Sequence, residues 1–542
     1  MIFPSELSLP GAWFSLGVFM ACISCVILTP KIPIFPRKRL FTSLLSKFNG
    51  DPNPKRTPME VELVTFDEAL IQPEAPKVDP EPYFYWITAD MAKAPIISLI
   101  LLFITGCLNW DTFSAGIAGD EQIRPYGVII LFMTLSYVCV SLDITGLFEY
   151  IAKVLIRKSA GDGHALWIFF AIFASVLTLF TSNDIVILTL TPICCYLAAN
   201  AENLDLIPFV VSQFFLANVW SVAFQIGNPT NMIVAEAYKM NFLSYLLMMG
   251  LPAIAAGLIN FGLLYYMFFD RIPRFIVTSQ ASLGTIPKIP NQRESTIKAI
   301  GLLLTLVLLA ASSLIPLSNG KTIPSYLICL AAGALFFLYD IIMDTSSIQD
   351  RWWDMSISAL FQDKRTMMVI LRMPWGVIPF VFGMFVMVEL LNSYGFVTLI
   401  ASALTDIINS VAGTPTDGVS FTGILTACFV MSILSTLSCN ILNNQPMTIL
   451  FTKILLSSAY VQDATLQKAS SLSLVLGSNL GANVTLIGAL AGVMWVKILQ
   501  DNGITHQQMN YWKFLKYGMI VTPLALAGAT LIIAIEMQII SP

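Results

Sequence analysis

The chain has 542 residues, of which 56% are hydrophobic and only 11% are charged, and its formal net charge is −4. Its mean hydropathy is +0.77, so it has too little polar surface to cover a water-soluble globule and is predicted to be an integral membrane protein. The net charge gives no reason to expect a nucleic-acid partner, and two histidines argue against a histidine-built metal site.

The first half of the chain carries apolar runs that approach or exceed the roughly 20 residues that a membrane-spanning helix needs. We predict spans near 11–30, 95–111, 124–141, 207–238 and 243–269, the first within a segment 1–30 and the others within 95–270. A helix-sized stretch, 143–158, precedes a long apolar segment, 164–200, that is interrupted by polar residues. Because that segment is too long for one span, we predict a re-entrant hairpin of two half-helices. Residues 31–94 are rich in proline with balanced charges, which predicts a largely disordered cytoplasmic loop.

The second half, 299–542, follows a predicted cytoplasmic linker, 271–298, and has the same plan. Its predicted spans lie near 299–316, 323–343, 374–391, 469–499 and 515–538. A helix-sized stretch, 396–410, again precedes a long interrupted segment, 420–459, which we interpret as a second hairpin. Residues 207–238 and 469–499 are each interrupted by Asn and Gly and are predicted to be broken spans.

The two halves are related by an internal repeat. Residues 125–146 and 374–395 both open on Pro, an aromatic residue, Gly and Val, and both close on Gly. Five crossings per half is an odd number, so the second copy is predicted to be inverted relative to the first. The fold class is therefore all-α and integral to the membrane. It has about ten transmembrane helices in two inverted five-span repeats, each with a hairpin and an interrupted helix.

The distribution of basic residues tests this topology. With the amino terminus outside, all but five of the 29 Lys and Arg residues fall in segments assigned to the cytoplasm, as the positive-inside rule requires. The five exceptions are Arg124, Lys239, Lys321, Lys453 and Lys468. Both termini are therefore predicted on the non-cytoplasmic side of the cell membrane.

Four breaks interrupt the apolar segments. They are 181–184 (TSND), 227–231 (GNPTN), 440–446 (NILNNQP) and 477–485 (GSNLGANVT). Inside a bilayer, an interrupted helix is tolerated only where protein or a water-filled cavity surrounds the freed backbone groups. Each half supplies one hairpin tip and one broken span, so inverted symmetry should bring the four breaks together near the midplane.

The breaks are rich in carboxamides and hydroxyls, which bind a polyhydroxyl solute or a dehydrated cation without the cost of burying a charge. Asp184 is the one carboxylate placed at a break, and its counterpart in the second hairpin is Asn444. One tip is therefore charged and the other is neutral, which suits a single proton or cation site. An alternative for each Asn, and for Asp184, is that it only caps a half-helix.

At these clusters, the sequence resembles the arsenite/antimonite efflux permeases of the ion-transporter superfamily. That family is related to D-type sodium/proton antiporters, silicon effluxers and dicarboxylate carriers. The matching stretches include TSNDIVILTLTPI (181–193), GNPTNMIVAE (227–236), NILNNQPMTIL (440–450) and GSNLGANVTLIGALAGVMWVKIL (477–499). The chain departs from that family at Asn479, where related permeases often carry an acidic residue.

The resemblance implies a homodimer in which a scaffold from the early spans of each repeat holds a mobile transport unit, made of hairpins and broken helices, that moves as an elevator. It also implies a substrate site made of Asn183, Asp184, Asn228, Thr230, Asn231, Asn443, Asn444, Asn479, Asn483 and Thr485, with Asp184 as the coupling-ion residue.

The sequence therefore predicts a transporter rather than an enzyme, with no cofactor and no bound metal. The leading hypothesis is proton-coupled efflux of a small neutral oxyacid: arsenite, antimonite or silicic acid. The alternatives are a sodium- or proton-coupled carrier of an organic anion and a sodium/proton antiporter. No nucleotide-binding motif occurs in the sequence, so energy must come from an ion gradient, from downhill flow or from a separate ATPase subunit.

Overall fold

The computed structural model describes residue 7 and residues 9–36, 84–199, 201–277, 291–315, 323–346, 364–412, 420–504 and 508–540. Most of the predicted Pro-rich loop (37–83) and part of the predicted linker (278–290) lie outside the described residues.

The described residues of the first half contain ten α-helices. They are α1 (Pro10–Leu28), α2 (Lys93–Ile104), α3 (Trp110–Ala118), α4 (Pro125–Asp143), α5 (Leu147–Lys158), α6 (Gly163–Phe180), α7 (Asn183–Ala199), α8 (Ile207–Trp220), α9 (Pro229–Ala237) and α10 (Phe242–Phe268). The second span predicted from the sequence, 95–111, is instead divided into α2 and α3. Proline in the first turn of α1, α4, α8 and α9 suits a position where the backbone N–H has no helical partner.

The second half also contains ten helices in the described residues. They are α11 (Gln292–Leu314), α12 (Ser325–Ser346), α13 (Arg365–Arg372), α14 (Val377–Ser393), α15 (Phe396–Ala412), α16 (Phe421–Leu442), α17 (Asn444–Leu456), α18 (Ala464–Leu480), α19 (Leu490–Asp501) and α20 (Tyr511–Ile540). Helix α11 begins seven residues before the predicted span 299–316, inside the predicted linker.

Within the described ranges, nine helices are long and apolar enough to cross a membrane. Two of them, α6 and α16, belong to the segments predicted as hairpins. Three predicted spans instead consist of shorter pieces: α2 with α3, α8 with α9, and α18 with α19. The predicted all-α class is confirmed for the membrane-spanning part of the fold. The inverted arrangement of the repeats stays a prediction.

The ends of the predicted Pro-rich loop are ordered rather than irregular. Strands β1 (Lys31–Pro36) and β2 (Phe84–Thr88) pair in antiparallel register, with Lys31 opposite Thr88. The sheet returns the chain from the end of α1 to the start of α2, which places the two helices side by side.

The two halves are interleaved through their early helices. Helix α12 packs against α4, and α14 packs against α2 and α3. Glycine permits both crossings: a Cβ atom on Gly116 would lie 2.6 Å from the Cα of Val386, and one on Gly333 would lie 3.0 Å from the Cβ of Thr134. Small residues let helix backbones approach closely where lipid supplies no hydrophobic driving force.

Candidate functional site

Each of the four breaks predicted from the sequence contains a point at which the α-helix is interrupted between packed helices. The first hairpin turns between α6 and α7, and the second turns at Asn443 between α16 and α17. Helix α8 continues through two short 3₁₀ turns, 221–223 and 225–227, before α9 begins. After α18, a 3₁₀ turn at 481–483 leads into a loop that ends where α19 begins.

Local sequence explains two of these breaks. Asn443 has a φ of +66°, and positive φ values are commoner for Asn than for most other side chains. Asn228 caps α9, since its Oδ1 accepts a hydrogen bond from the backbone N–H of Thr230 at 3.1 Å, and Pro229 occupies the first helical position. Capping is therefore part of the role of Asn228.

A chain of three carboxamides joins the first hairpin to both broken spans. Asn183 Nδ2 donates to Asn218 Oδ1 at 2.9 Å, and Asn218 Nδ2 donates to Asn483 Oδ1 at 2.9 Å. Asn483 Nδ2 then donates to the carbonyl oxygen of Phe215 at 3.1 Å. All three Asn side chains are buried, so this network fixes the relative positions of α7, α8 and the turn after α18.

Asn479 links the two broken spans. Its Oδ1 accepts hydrogen bonds from Asn228 Nδ2 at 2.9 Å and from Ser221 Oγ at 3.0 Å. Its Nδ2 donates to Asn231 Oδ1 at 2.7 Å and to the carbonyl oxygen of Val475 at 2.8 Å. Because both ends of the amide are used, a carboxylate at this position would lose the donor that holds Asn231.

The second hairpin tip rests on the loop after α18. Asn443 Nδ2 donates to the carbonyl oxygen of Ile487 at 3.2 Å. The backbone N–H of Asn444 donates to the carbonyl oxygen of Gly488 at 3.0 Å. Asn440 Nδ2 donates to the carbonyl oxygen of Gly481 at 3.0 Å, and the Thr485 hydroxyl donates to Asn440 Oδ1. The tip is thereby attached to the turn that holds Asn483.

The structure places the ten residues predicted for the site in three groups. Asn183, Asn228, Thr230, Asn231, Asn479 and Asn483 lie in the carboxamide network, and Asn443, Asn444 and Thr485 lie at the second tip. Asp184 is the second residue of α7. Within the described part of the chain, its carboxylate forms no hydrogen bond or ion pair.

Three residues of the network were not predicted for the site: Asn218, Ser221 and Asn440. Asn218 lies in the last turn of α8 and Ser221 directly follows that helix, and no Gly or Pro lies next to either residue. An isolated polar residue in an apolar run was the only signal that could have identified them. Asn440 lies inside the third break but was left out of the predicted site.

Five buried side-chain carbonyl oxygens at the breaks lack a hydrogen-bond donor in the described residues. They are Asn183 Oδ1, Gln225 Oε1, Asn443 Oδ1, Asn444 Oδ1 and Gln445 Oε1. Each of these residues is at most 4% exposed, and buried polar atoms are normally paired. All five are acceptors, so a ligand that suits them brings hydrogen-bond donors or positive charge.

The site carries no basic side chain. None of the hydrogen bonds or ion pairs of the break residues above involves Lys or Arg in the described residues. The described ranges also contain no group of three His, Cys, Asp or Glu side chains that could hold a metal ion. An anionic ligand would therefore have to rely on backbone N–H groups at the half-helix amino termini.

Comparisons with known proteins point to membrane transport. A family model described as a citrate transporter matches residues 83–476. The arsenical pump membrane protein of Yersinia enterocolitica is 24% identical over 393 residues, covering 72% of this chain and 82% of that protein. The putative arsenical pump membrane protein of Bacillus subtilis is 21% identical over 461 residues, covering 82% of this chain and 94% of that protein.

Among solved structures, the crystal structure of the Alcanivorax borkumensis YdaH transporter is similar, with a TM-score of 0.52. The alignment covers 99% of this chain and 100% of that chain at 13% sequence identity. At that identity, the similarity concerns the fold alone.

Proposed function

This chain belongs to the citrate transporter family, and on that premise we propose that it is a secondary active transporter that exports a small neutral oxyacid in exchange for protons. The oxyacid is arsenite, antimonite or silicic acid. Relatives named as arsenical pump membrane proteins support this choice, as does the chemistry of the four breaks.

The proposed substrate class rests on the buried acceptor oxygens that lack a hydrogen-bond donor in the described residues. A neutral oxyacid has hydroxyl groups that donate hydrogen bonds, whereas an ionised carboxylate only accepts them. Asn183, Asn443 and Asn444, all three in the predicted site, each have a buried oxygen without a donor in the described residues. A hydroxyl-bearing neutral solute satisfies these oxygens and requires no basic residue for charge balance.

Asp184 is proposed as the proton carrier. It is the only acidic residue of the four breaks, and its carboxylate has no ion-pair partner within the described part of the chain. An ionisable residue without a fixed countercharge at membrane depth is suited to gain and lose a proton during transport. Sodium is the alternative coupling ion.

The family description favours a second candidate, a carrier of an organic anion such as citrate. In that case, the amino termini of half-helices α7, α9 and α17 would face the carboxylates. Transport assays with both classes of solute separate the two candidates.

We propose that the mechanism is the elevator movement that the resemblance implies, in a homodimer. The transport unit consists of α6 to α9 and α16 to α19, and the scaffold consists of α1 to α4 and α11 to α14. A separate ATPase subunit is a further proposed partner, and its presence would change the energy source without changing the site.

The proposal is tested in cells that lack metalloid exporters. Cells that express the wild type should tolerate arsenite, antimonite and germanic acid, the last as an analogue of silicic acid. Asn444→Ala should abolish this tolerance, whereas Asn502→Ala, an exposed Asn at the end of α19, should preserve it. No gain in tolerance from a well-folded wild type would contradict the metalloid assignment.

Proton coupling has its own variant, Asp184→Asn. In vesicles, we expect this protein to retain exchange of labelled arsenite for unlabelled arsenite, because the substrate oxygens are intact. Uptake driven by an imposed pH gradient should fall at least tenfold. If Asp184→Asn responded to the pH gradient as the wild type does, Asp184 would not be the proton carrier.

A further inference from the structure

A cluster of three charged side chains lies away from the four breaks, at the boundary between the second hairpin and the scaffold. Lys453 Nζ on α17 lies 2.7 Å from Asp120 Oδ2 and 3.0 Å from Glu389 Oε2. Asp120 belongs to the loop between α3 and α4, and Glu389 lies on α14. One lysine of the hairpin therefore holds two carboxylates from two separate scaffold elements.

The surroundings make this triad stronger than a typical surface ion pair. Lys453 is 15% exposed and Glu389 is 21% exposed, while Asp120 is 44% exposed. Partial burial reduces screening by water and salt, so the attraction exceeds that of fully exposed pairs. Asp120 is itself fixed, because its Oδ1 accepts hydrogen bonds from the backbone N–H groups of Gln122 and Ile123 at 2.8 and 2.7 Å.

Neither Lys453 nor Glu389 has a charged counterpart in the first half of the chain. Under the alignments that pair Asn183 with Asn443 and Pro125 with Pro374, Lys453 corresponds to Ile193 and Glu389 corresponds to Val140. The predicted topology places Lys453 at the outer end of its helix, among the five exceptions to the positive-inside pattern. A lysine that departs from that pattern at one boundary, with two carboxylates beside it, points to a role specific to the second hairpin.

We propose that Lys453, Asp120 and Glu389 form a latch that holds the second hairpin against the scaffold in the conformation seen here and must open during each transport cycle. This inference rests on the proposed movement of the transport unit. Helix α17 packs directly on α14, so any displacement of the hairpin along the scaffold separates the lysine from both carboxylates.

The first test requires no substrate. Hydrogen–deuterium exchange of the purified protein should increase in residues 119–124 and at the end of α17 by up to about fivefold in Lys453→Met, as expected for a partly exposed ion pair. Lys453→Glu should increase it further, because three carboxylates then meet. The swap Lys453→Glu with Glu389→Lys should return exchange towards the wild type, and Lys468→Met should leave it unchanged. Wild-type exchange in Lys453→Met, or no recovery in the swap, would overturn the latch.

The second test distinguishes a latch from a static bridge. The double variant Glu389→Cys, Lys453→Cys is treated with a reducible bifunctional thiol reagent that joins the two positions. Peptide mapping verifies that these two positions are bridged. We expect bridging to stop transport of whichever solute the wild type carries, and a reducing agent to restore it. Continued transport by the bridged protein would overturn the proposal. If the wild type carries no metalloid, the oxyacid assignment fails, and the bridging test still decides the latch with the solute that the wild type does carry.

Discussion

The side chain of Asn479 acts as both an acceptor and a donor of hydrogen bonds. The oxygen accepts from Asn228 and Ser221, and the nitrogen donates to Asn231. An amide suits this position because no other side chain of similar shape offers both an acceptor and two donors. The neutral side chain of Asn479 is therefore matched to its partners.

Asn479→Asp tests this matching. At neutral pH, the aspartate would oppose Asn231 Oδ1 with a second acceptor, so we expect transport to fall at least tenfold, consistent with the loss of about 2 kcal/mol of hydrogen bonding. At acidic pH, a protonated carboxyl group regains one donor, so activity should partly recover. Transport measured from pH 5 to pH 8 checks this. A variant with wild-type transport across that range would contradict the role of the Asn479 amide.

Asp120 determines how the proposed latch responds to pH. Although burial raises its pKa, hydrogen bonds from Lys453 and from the backbone of Ile123 outweigh burial and hold the pKa of Asp120 below its usual range. A carboxylate with a lowered pKa stabilises the folded arrangement above its ordinary pKa of about 4 and loses that effect as the pH falls further. The difference in deuterium exchange between the wild type and Lys453→Met should therefore be constant from pH 5 to pH 8 after correction for intrinsic exchange. A difference that disappears within that range would contradict the role of Asp120.

At the scale of elements, the breaks depend on close backbone approach. A Cβ atom on Gly227 would lie 2.2 Å from the carbonyl oxygen of Ser221, so the two 3₁₀ turns between α8 and α9 require glycine. The same carbonyl accepts a hydrogen bond from Asn231 at 2.7 Å. The glycine therefore shapes the turn that positions a predicted site residue.

Gly227→Ala should destabilise the fold by about 1 to 3 kcal/mol, because backbone atoms must shift to admit the methyl group. Gly262→Ala is the matched control: its Cβ would meet no atom within 4 Å, and alanine favours a helix. Thermal unfolding in detergent compares the two variants. Equal unfolding temperatures would contradict the close approach at Gly227.

The breaks could be predicted because Asn, Gly and Pro stand out in apolar runs, and in a bilayer such residues need a special environment. Asn218 and Ser221 could not be predicted as part of the site, because both occur in or beside a continuous helix. Their partners, Asn483 and Asn479, come from the other half of the chain. The strand pair at the ends of the Pro-rich loop was also missed, because prolines in β1 argue against a strand unless it lies at a sheet edge. Partners distant in sequence leave no local pattern.

At the scale of the whole molecule, the two halves meet through polar contacts at the breaks, through ion pairs and hydrogen bonds outside them such as Lys453 with Asp120, and through helix packing. Helices α10 and α20 pack along each other, as do α4 and α12. Asn183, Asn218 and Asn483 join the halves at the centre of this arrangement. One candidate site therefore needs both predicted repeats, because neither half alone contains all the hydrogen-bonded residues of this network.

The central claim is that the four breaks bind a neutral, hydroxyl-bearing solute. The most direct test is to measure uptake by the purified protein in vesicles with an imposed pH gradient. We predict uptake of labelled arsenite that excess germanic acid inhibits and excess citrate does not. Uptake of labelled citrate, with no uptake of arsenite and no inhibition by germanic acid, would contradict the account.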